Sequence, residues 1–264
     1  RNTSLAVLLG ERLKAKPAAS IPCGVALGIP QDRSTETLRR WIDEALARGY
    51  QRVKIKVAPG WDAAPVEAAR QAMAGSRLPL TVDANGGYEW PEHESNLRGL
   101  DEAGLLYIEQ PLAPDELVGH ATLAHDLKTP ICLDETLKDA TAARQIIELG
   151  GPKVWNIKVH RMGGLSEVSR VYAMAKHYRA EMWAGTMPES GIGSQAALAA
   201  ASLPGFVYPS DLEPSTRWFG RNTDVVKLAM SDQGRMEVPA VSIERMLDLD
   251  LFRAATRLIL STAE

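Results

Sequence analysis

Five charged side chains stand at nearly even intervals along this chain: Lys56, Asp83, Glu109, Asp134 and Lys158 are separated by 27, 26, 25 and 24 positions. Each closes a short apolar run, as in Val82-Asp83-Ala84-Asn85, Ile108-Glu109-Gln110-Pro111 and Leu133-Asp134-Glu135. A step of about 25 residues is what one strand, one helix and two connections consume. The spacing therefore predicts successive parallel strands, each delivering a charge at the same end.

Apolar, β-branched runs bounded by turn residues occupy positions 21–29, 52–57, 78–83, 105–109, 130–134, 154–158, 181–184 and 206–209. Between them lie segments with helical periodicity, such as Leu38, Trp41, Ile42, Ala45 and Leu46. Gly49, Gly104 and Gly150 follow such segments where a helix C-terminus favours a left-handed residue. Eight βα units favour a closed, TIM-like α/β barrel over an open sheet. No Gly-x-Gly-x-x-Gly follows the first strand to suggest a dinucleotide fold. In such barrels the site lies at the C-terminal ends of the strands, where the five charges fall.

Composition narrows the class. The chain of 264 residues carries a formal net charge of -3, without the basic excess of a nucleic-acid binder. It has no apolar run of the roughly 20 residues that a membrane span needs, and no signal-peptide pattern. Cys23 and Cys132 lie in apolar runs and read as buried hydrophobes in a reducing compartment. A cytoplasmic enzyme acting on a small molecule is expected, and a homo-oligomer is allowed. The chain opens at Arg1 without an initiator Met and enters midway through what reads as a helix over positions 4–10, so it is expected to be processed or part of something longer.

Asp83, Glu109 and Asp134 are hard oxygen donors that suit Mg²⁺, or Mn²⁺, better than zinc. Helix capping or ordinary ion pairing would explain any one of them. Three in register would crowd like charges that only a cation or the lysines could offset. Asn85 and Glu135 are expected to orient these ligands. Lys54 and Lys56, two apart on a strand, point the same way, and their mutual repulsion is expected to lower a lysine's proton affinity toward that of a base. Lys54 taken alone reads as a surface side chain. Lys158 would approach the substrate from the other face, with Arg161 either perturbing it or pairing structurally. A divalent ion gripping a carboxylate beside a base is the equipment for removing an α-proton.

These words together resemble the enolase superfamily, muconate-lactonizing-enzyme subgroup, and more closely the o-succinylbenzoate synthase / N-acylamino acid racemase family. The likeness is carried by Val53-Lys54-Ile55-Lys56 running into Pro59-Gly60-Trp61-Asp62, by the three acidic words, and by Asn156-Ile157-Lys158 with Arg161-Met162-Gly163-Gly164. Met187-Pro188-Glu189-Ser190-Gly191-Ile192-Gly193 continues it, and the similarity extends over positions 21–221.

The resemblance implies a (β/α)7β barrel at 21–225, the end of a capping segment at 1–20, and a C-terminal extension at 226–264. The family's N-terminal α+β capping domain is expected to be mostly absent from this chain. Asp83, Glu109 and Asp134 would bind Mg²⁺. Lys56 would remove the α-proton, with Lys54 as its electrostatic partner, and return it to the departing hydroxide in a syn elimination. Lys158 would stabilise the enediolate or act as the opposite acid/base in racemisation, and Gly185, Thr186 and Met187 would line the pocket. Ser210-Asp211-Leu212-Glu213-Pro214-Ser215 is ambiguous, because its acidic pair suits a dipeptide epimerase while Ser215, Trp218 and Phe219 suit the synthases. The implied activity is o-succinylbenzoate synthesis in menaquinone formation, with N-acylamino acid racemisation beside it. A dedicated racemase, a dipeptide epimerase and a cycloisomerase stay open, as do a Schiff-base aldolase-type barrel and a non-catalytic remnant.

Overall fold

The computed structural model describes residues 3–214, 217 and 224–255. Its first half runs α1 (Leu5–Leu13), β1 (Ser20–Pro22), β2 (Val25–Leu27), α2 (Thr35–Ala47), β3 (Val53–Lys56), α3 (Ala63–Ala72), β4 (Leu80–Asp83), α4 (Glu94–Asp101) and β5 (Ile108–Glu109). There follow α5 (Leu117–Asp126), β6 (Ile131–Leu133), α6 (Ala140–Glu148), β7 (Val154–Ile157), α7 (Leu165–Tyr178), β8 (Glu181–Ala184), α8 (Gly191–Ala201), β9 (Arg235–Glu237) and α9 (Leu249–Ala255). No helix among the described residues is long and apolar enough to cross a membrane.

Strands β2 to β8 form one parallel sheet in chain order, curled as in a TIM-like barrel. Strands β4 to β7 are buried along their whole length, as parallel strands must be when covered on both faces. The helices supply the outer cover. In α2, Leu38, Ile42 and Ala45 are buried at helical spacing, and Ser34 Oγ caps the first turn by accepting from Thr37 N at 3.3 Å. Gly49, Gly104 and Gly150 carry the expected left-handed φ of 81°, 63° and 65°.

Three boundaries differ from the sequence reading. Helix α1 begins inside the described chain, with Ser4 Oγ accepting from Val7 N. The first expected strand splits at Cys23 and Gly24. Its start pairs antiparallel with β9, and Val25 onward joins the barrel. A Cβ at Gly24 would fall 2.7 Å from the guanidinium of Arg52, so the break lies where that side chain needs room. The eighth strand shrinks to isolated parallel bridges, Met182 with Phe206 and Cys23 with Ser210. Pro209 between them has no N–H to give a ladder. This segment still spans from β8 to the chain entering β2, with Val207 N donating to Met182 O and Ser210 N to Pro22 O. Within the C-terminal extension, β9 and α9 lie among the described residues; Ser215, Trp218 and Phe219 lie outside them.

Candidate active site

Every second residue of a barrel strand faces inward, and parallel pairing keeps that parity around the sheet. Lys56 pairs with Asp83 in register, and Asp83 with Glu109. Lys54 lies one layer below Lys56, and Arg52 one layer below Lys54. The next strands contribute Tyr107 and Glu109, Cys132 and Asp134, Asn156 and Lys158, and Trp183. The deepest of these form a small apolar cluster of their own, Tyr107, Cys132, Val154 and Trp183, separate from the main core.

Lys54 is buried, not a surface side chain. Its Nζ lies 2.8 Å from Glu109 Oε2, 2.8 Å from Asp211 Oδ2 and 3.5 Å from Asp83 Oδ2, and 4.6 Å from the centre of the Trp183 ring. Burial opposes its charge, but Asp211, Glu109 and Asp83 outweigh burial and hold the ammonium well above the ordinary lysine range. The expected lowering by a second lysine is thus overturned at Lys54, because three carboxylates surround it. Lys56 stands at the mouth, its side chain 29% exposed, with Nζ 2.6 Å from Asp83 Oδ2 and a further hydrogen bond to Asn85 Oδ1.

On the opposite side, Lys158 Nζ donates to Asp134 Oδ2 at 2.8 Å, and Arg161 binds the other oxygen of the same carboxylate. Burial works against that charge, yet Arg161 and Lys158 hold Asp134 below the ordinary carboxylate range. Arg161 also donates to the carbonyls of Leu137 and Asn156 at 3.3 and 3.1 Å, the structural pairing that was one of the two roles the sequence left open. Asn156 Nδ2 donates to Glu109 Oε1 at 2.7 Å. A Cβ on Gly185 would sit 2.3 Å from Asn156 Oδ1 and 2.8 Å from Lys158 Cε. Only glycine leaves these two side chains their places.

The remaining expected residues are less uniform. Asn85 N donates to Asp83 Oδ1 at 2.9 Å and Asn85 Nδ2 to Glu135 Oε1 at 2.8 Å, which ties two acidic words together. Thr186 Oγ1 donates to the carbonyl of Asp211 at 2.8 Å, and Met187 is exposed. Cys23 and Cys132 are buried and unpaired, as expected.

Among the described residues no three acidic, histidine or cysteine side chains converge as a ready-made metal shell. The ammonium groups hold the carboxylates instead. The donors nevertheless fit a hard divalent cation. They are oxygen-only, buried and on adjacent strands, and they are short of positive charge at Glu109. Burial, then the Asp83 carboxylate, push the Glu109 carboxyl up to about 8 even against Lys54.

Sequence reasoning gave no role to Arg52, Asn156 or Gln110, and none with certainty to Asp211. Arg52 is fully buried, pairs with Asp211 and Tyr107 Oη, and lies 4.5 Å from the Trp183 ring centre. Its spacing was the available signal, since position 52 shares inward parity with 54 and 56, as 156 does with 158. A groove between α3 and α4 shares no residue with this cluster.

Residues 37–242 match the family model described as Enolase C-terminal domain-like. The chain is 42% identical over 221 residues to an N-succinylamino acid racemase of Thermus thermophilus, covering 83% of this chain and 58% of that protein. It is 40% identical over 200 residues to the o-succinylbenzoate synthase of Bacillus subtilis, covering 75% and 52%. A crystal structure of an enolase superfamily member from Listeria innocua superposes with a TM-score of 0.85 at 34% identity, covering 97% of this chain and 66% of that one. The chain thus spans little more than half the length of these curated relatives.

Proposed function

The chain belongs to the enolase C-terminal domain-like family, and on that premise we propose that it removes a proton α to a carboxylate with Mg²⁺ held by Asp83, Glu109 and Asp134. The single observation carrying this reading is the in-register row Lys56, Asp83 and Glu109 on consecutive strands, with Lys158 bound to Asp134 beyond it. When bound, the cation neutralises charge gathering on the substrate carboxylate as the α-proton leaves. Mn²⁺ would serve in the same donor set.

The chain's own groups do the rest. Lys56, at the open mouth, takes the α-proton and returns it to the departing hydroxide. Lys54, buried and paired to three carboxylates, stays a fixed positive charge below it. Lys158 faces the substrate from across the mouth, and Asn156 and Asn85 hold Glu109 and Asp83 in place. The activity we favour is o-succinylbenzoate synthesis, a dehydration in menaquinone formation, by a soluble cytoplasmic enzyme.

A second reading is favoured by one observation: amines stand on both flanks of the acidic row. Two opposed bases suit racemisation of N-succinylamino acids, the activity named for the Thermus thermophilus relative. Assaying the synthase substrate against N-succinylamino acids, with α-proton exchange in deuterated water and an EDTA control, tests both. Exchange that survives chelation, with substrate trapped on a lysine by borohydride, would instead make the protein a Schiff-base enzyme.

A further inference from the structure

Behind Asp134 lies a buried polar cluster that the chemistry above does not use. Gln110 is inaccessible to solvent and holds a left-handed φ of 40°. Its Oε1 accepts from Asp134 N at 3.0 Å and Thr136 N at 3.2 Å, and its Nε2 donates to Leu112 O at 2.9 Å and Thr136 Oγ1 at 2.8 Å. Those four contacts fix the amide's orientation, because a flipped amide would set its NH₂ against two backbone N–H groups. His120, from α5, meets the same amide, with its Nε2 3.3 Å from Gln110 Nε2 and 3.3 Å from Leu112 N. Its Nδ1 lies 2.7 Å from Glu116 O. A carbonyl at Nδ1 requires a proton there, and an N–H at Nε2 requires a lone pair. Both nitrogens of a neutral ring are therefore committed.

We propose that His120 is a positioning residue that acts through Gln110 to set the loop bearing Asp134. The proposal rests on the reading of Asp134 as a ligand. The physical reason is rigidity. One oxygen of Gln110 gathers two N–H groups of the 134–136 turn, and its amide can do so only while its other end is held. His120 Nε2 accepts from Leu112 N and so fixes the loop whose Leu112 carbonyl takes one of the two Gln110 Nε2 hydrogens, Thr136 Oγ1 taking the other. Outer groups that orient a ligand commonly govern metal affinity by about 10–100-fold. A histidine that merely filled core space would show no dependence on where its acceptor lies.

Two amide substitutions separate these roles. His120→Gln can set an oxygen at the Nε2 place, whereas His120→Asn ends at the Nδ1 place and leaves Leu112 N without its acceptor. Mn²⁺ affinity should fall about 10–100-fold in His120→Asn and stay near that of the unaltered protein in His120→Gln. Hydrogen exchange at the amides of Asp134 and Thr136 should quicken only in His120→Asn. Equal behaviour of the two variants in both measurements overturns the proposal. If His120→Asn does not fold, Thr136→Val removes the hydroxyl that anchors Gln110; weakened Mn²⁺ binding there supports the proposal, and unchanged binding overturns it. Should the unaltered protein bind no Mn²⁺, the ligand reading fails by itself, and the exchange comparison alone decides whether His120 sets the turn.

Discussion

Lys56 and Asp83 sit opposite each other in the β3–β4 register, with Nζ and Oδ2 2.6 Å apart. On the proposed reading, a cation held by Asp83 would share that carboxylate with an amine, which would couple metal binding to the freedom of Lys56. Lys56→Ala separates them. It should remove exchange of the substrate α-proton by about 10²–10⁴-fold, the usual contribution of a positioned base. Mn²⁺ affinity should be kept. Joint loss of both would contradict the role given to Lys56.

Glu109 is enclosed, with Lys54 on one oxygen and Asn156 on the other. Glu109→Gln removes the charge and keeps the shape. Calorimetric titration should show Mn²⁺ affinity reduced by at least about 10–100-fold, with activity lost alongside it. Retained affinity would remove Glu109 from the ligand set.

Gly185→Ala forces a methyl group to within 2.3 Å of Asn156 Oδ1. Overpacking of this kind costs about 1–3 kcal/mol, to be read from the urea midpoint. Because Asn156 also holds Glu109, Mn²⁺ binding should weaken in the same variant. A stable variant with unaltered binding would show that Asn156 does not orient Glu109.

Asp211 pairs with two buried cations, Arg52 and Lys54, the second of which it shares with Glu109 and Asp83. Asp211→Ala leaves both without it and should cost about 3–5 kcal/mol in denaturant unfolding. A loss below 1 kcal/mol would mean that the pair is solvated.

Burial pushes the His120 imidazole down to about 4 from an ordinary 6.5. Between those values the unfolded chain binds the proton and the folded chain resists it. Stability therefore falls as pH drops through this window, by up to about 3 kcal/mol once below pH 4. Urea midpoints measured from pH 7 to pH 4 should fall less steeply in His120→Gln, which carries no proton to gain. Parallel slopes would assign the acid sensitivity elsewhere.

The barrel and its charged rim were legible because both rest on periods. The step of about 25 residues gives the βα unit, and strand-end polarity gives the rim. What escaped depended on three-dimensional closeness or on local backbone geometry. The Gly24 break is set by Arg52, which lies far along the chain. Asp211 reaches Lys54 only once the ring has closed. Parity alone would have turned Arg52 and Asn156 inward, but not toward their partners. The proton affinity of Lys54 went the wrong way because repulsion from Lys56 was weighed without the three carboxylates around it. Gln110 and His120 lie ten residues apart, and nothing in their spacing announces that one steadies the other.

The eighth side of the ring is stitched at isolated points, and the residue just beyond the last stitch is Asp211, whose carboxylate reaches across β2 to β3. A hoop fastened partly by electric charge has its clasp beside its own reactive mouth. Slack in that clasp passes to Lys54, and from Lys54 to Glu109, without moving any helix. A length change in this seam would be felt at once by the acidic row.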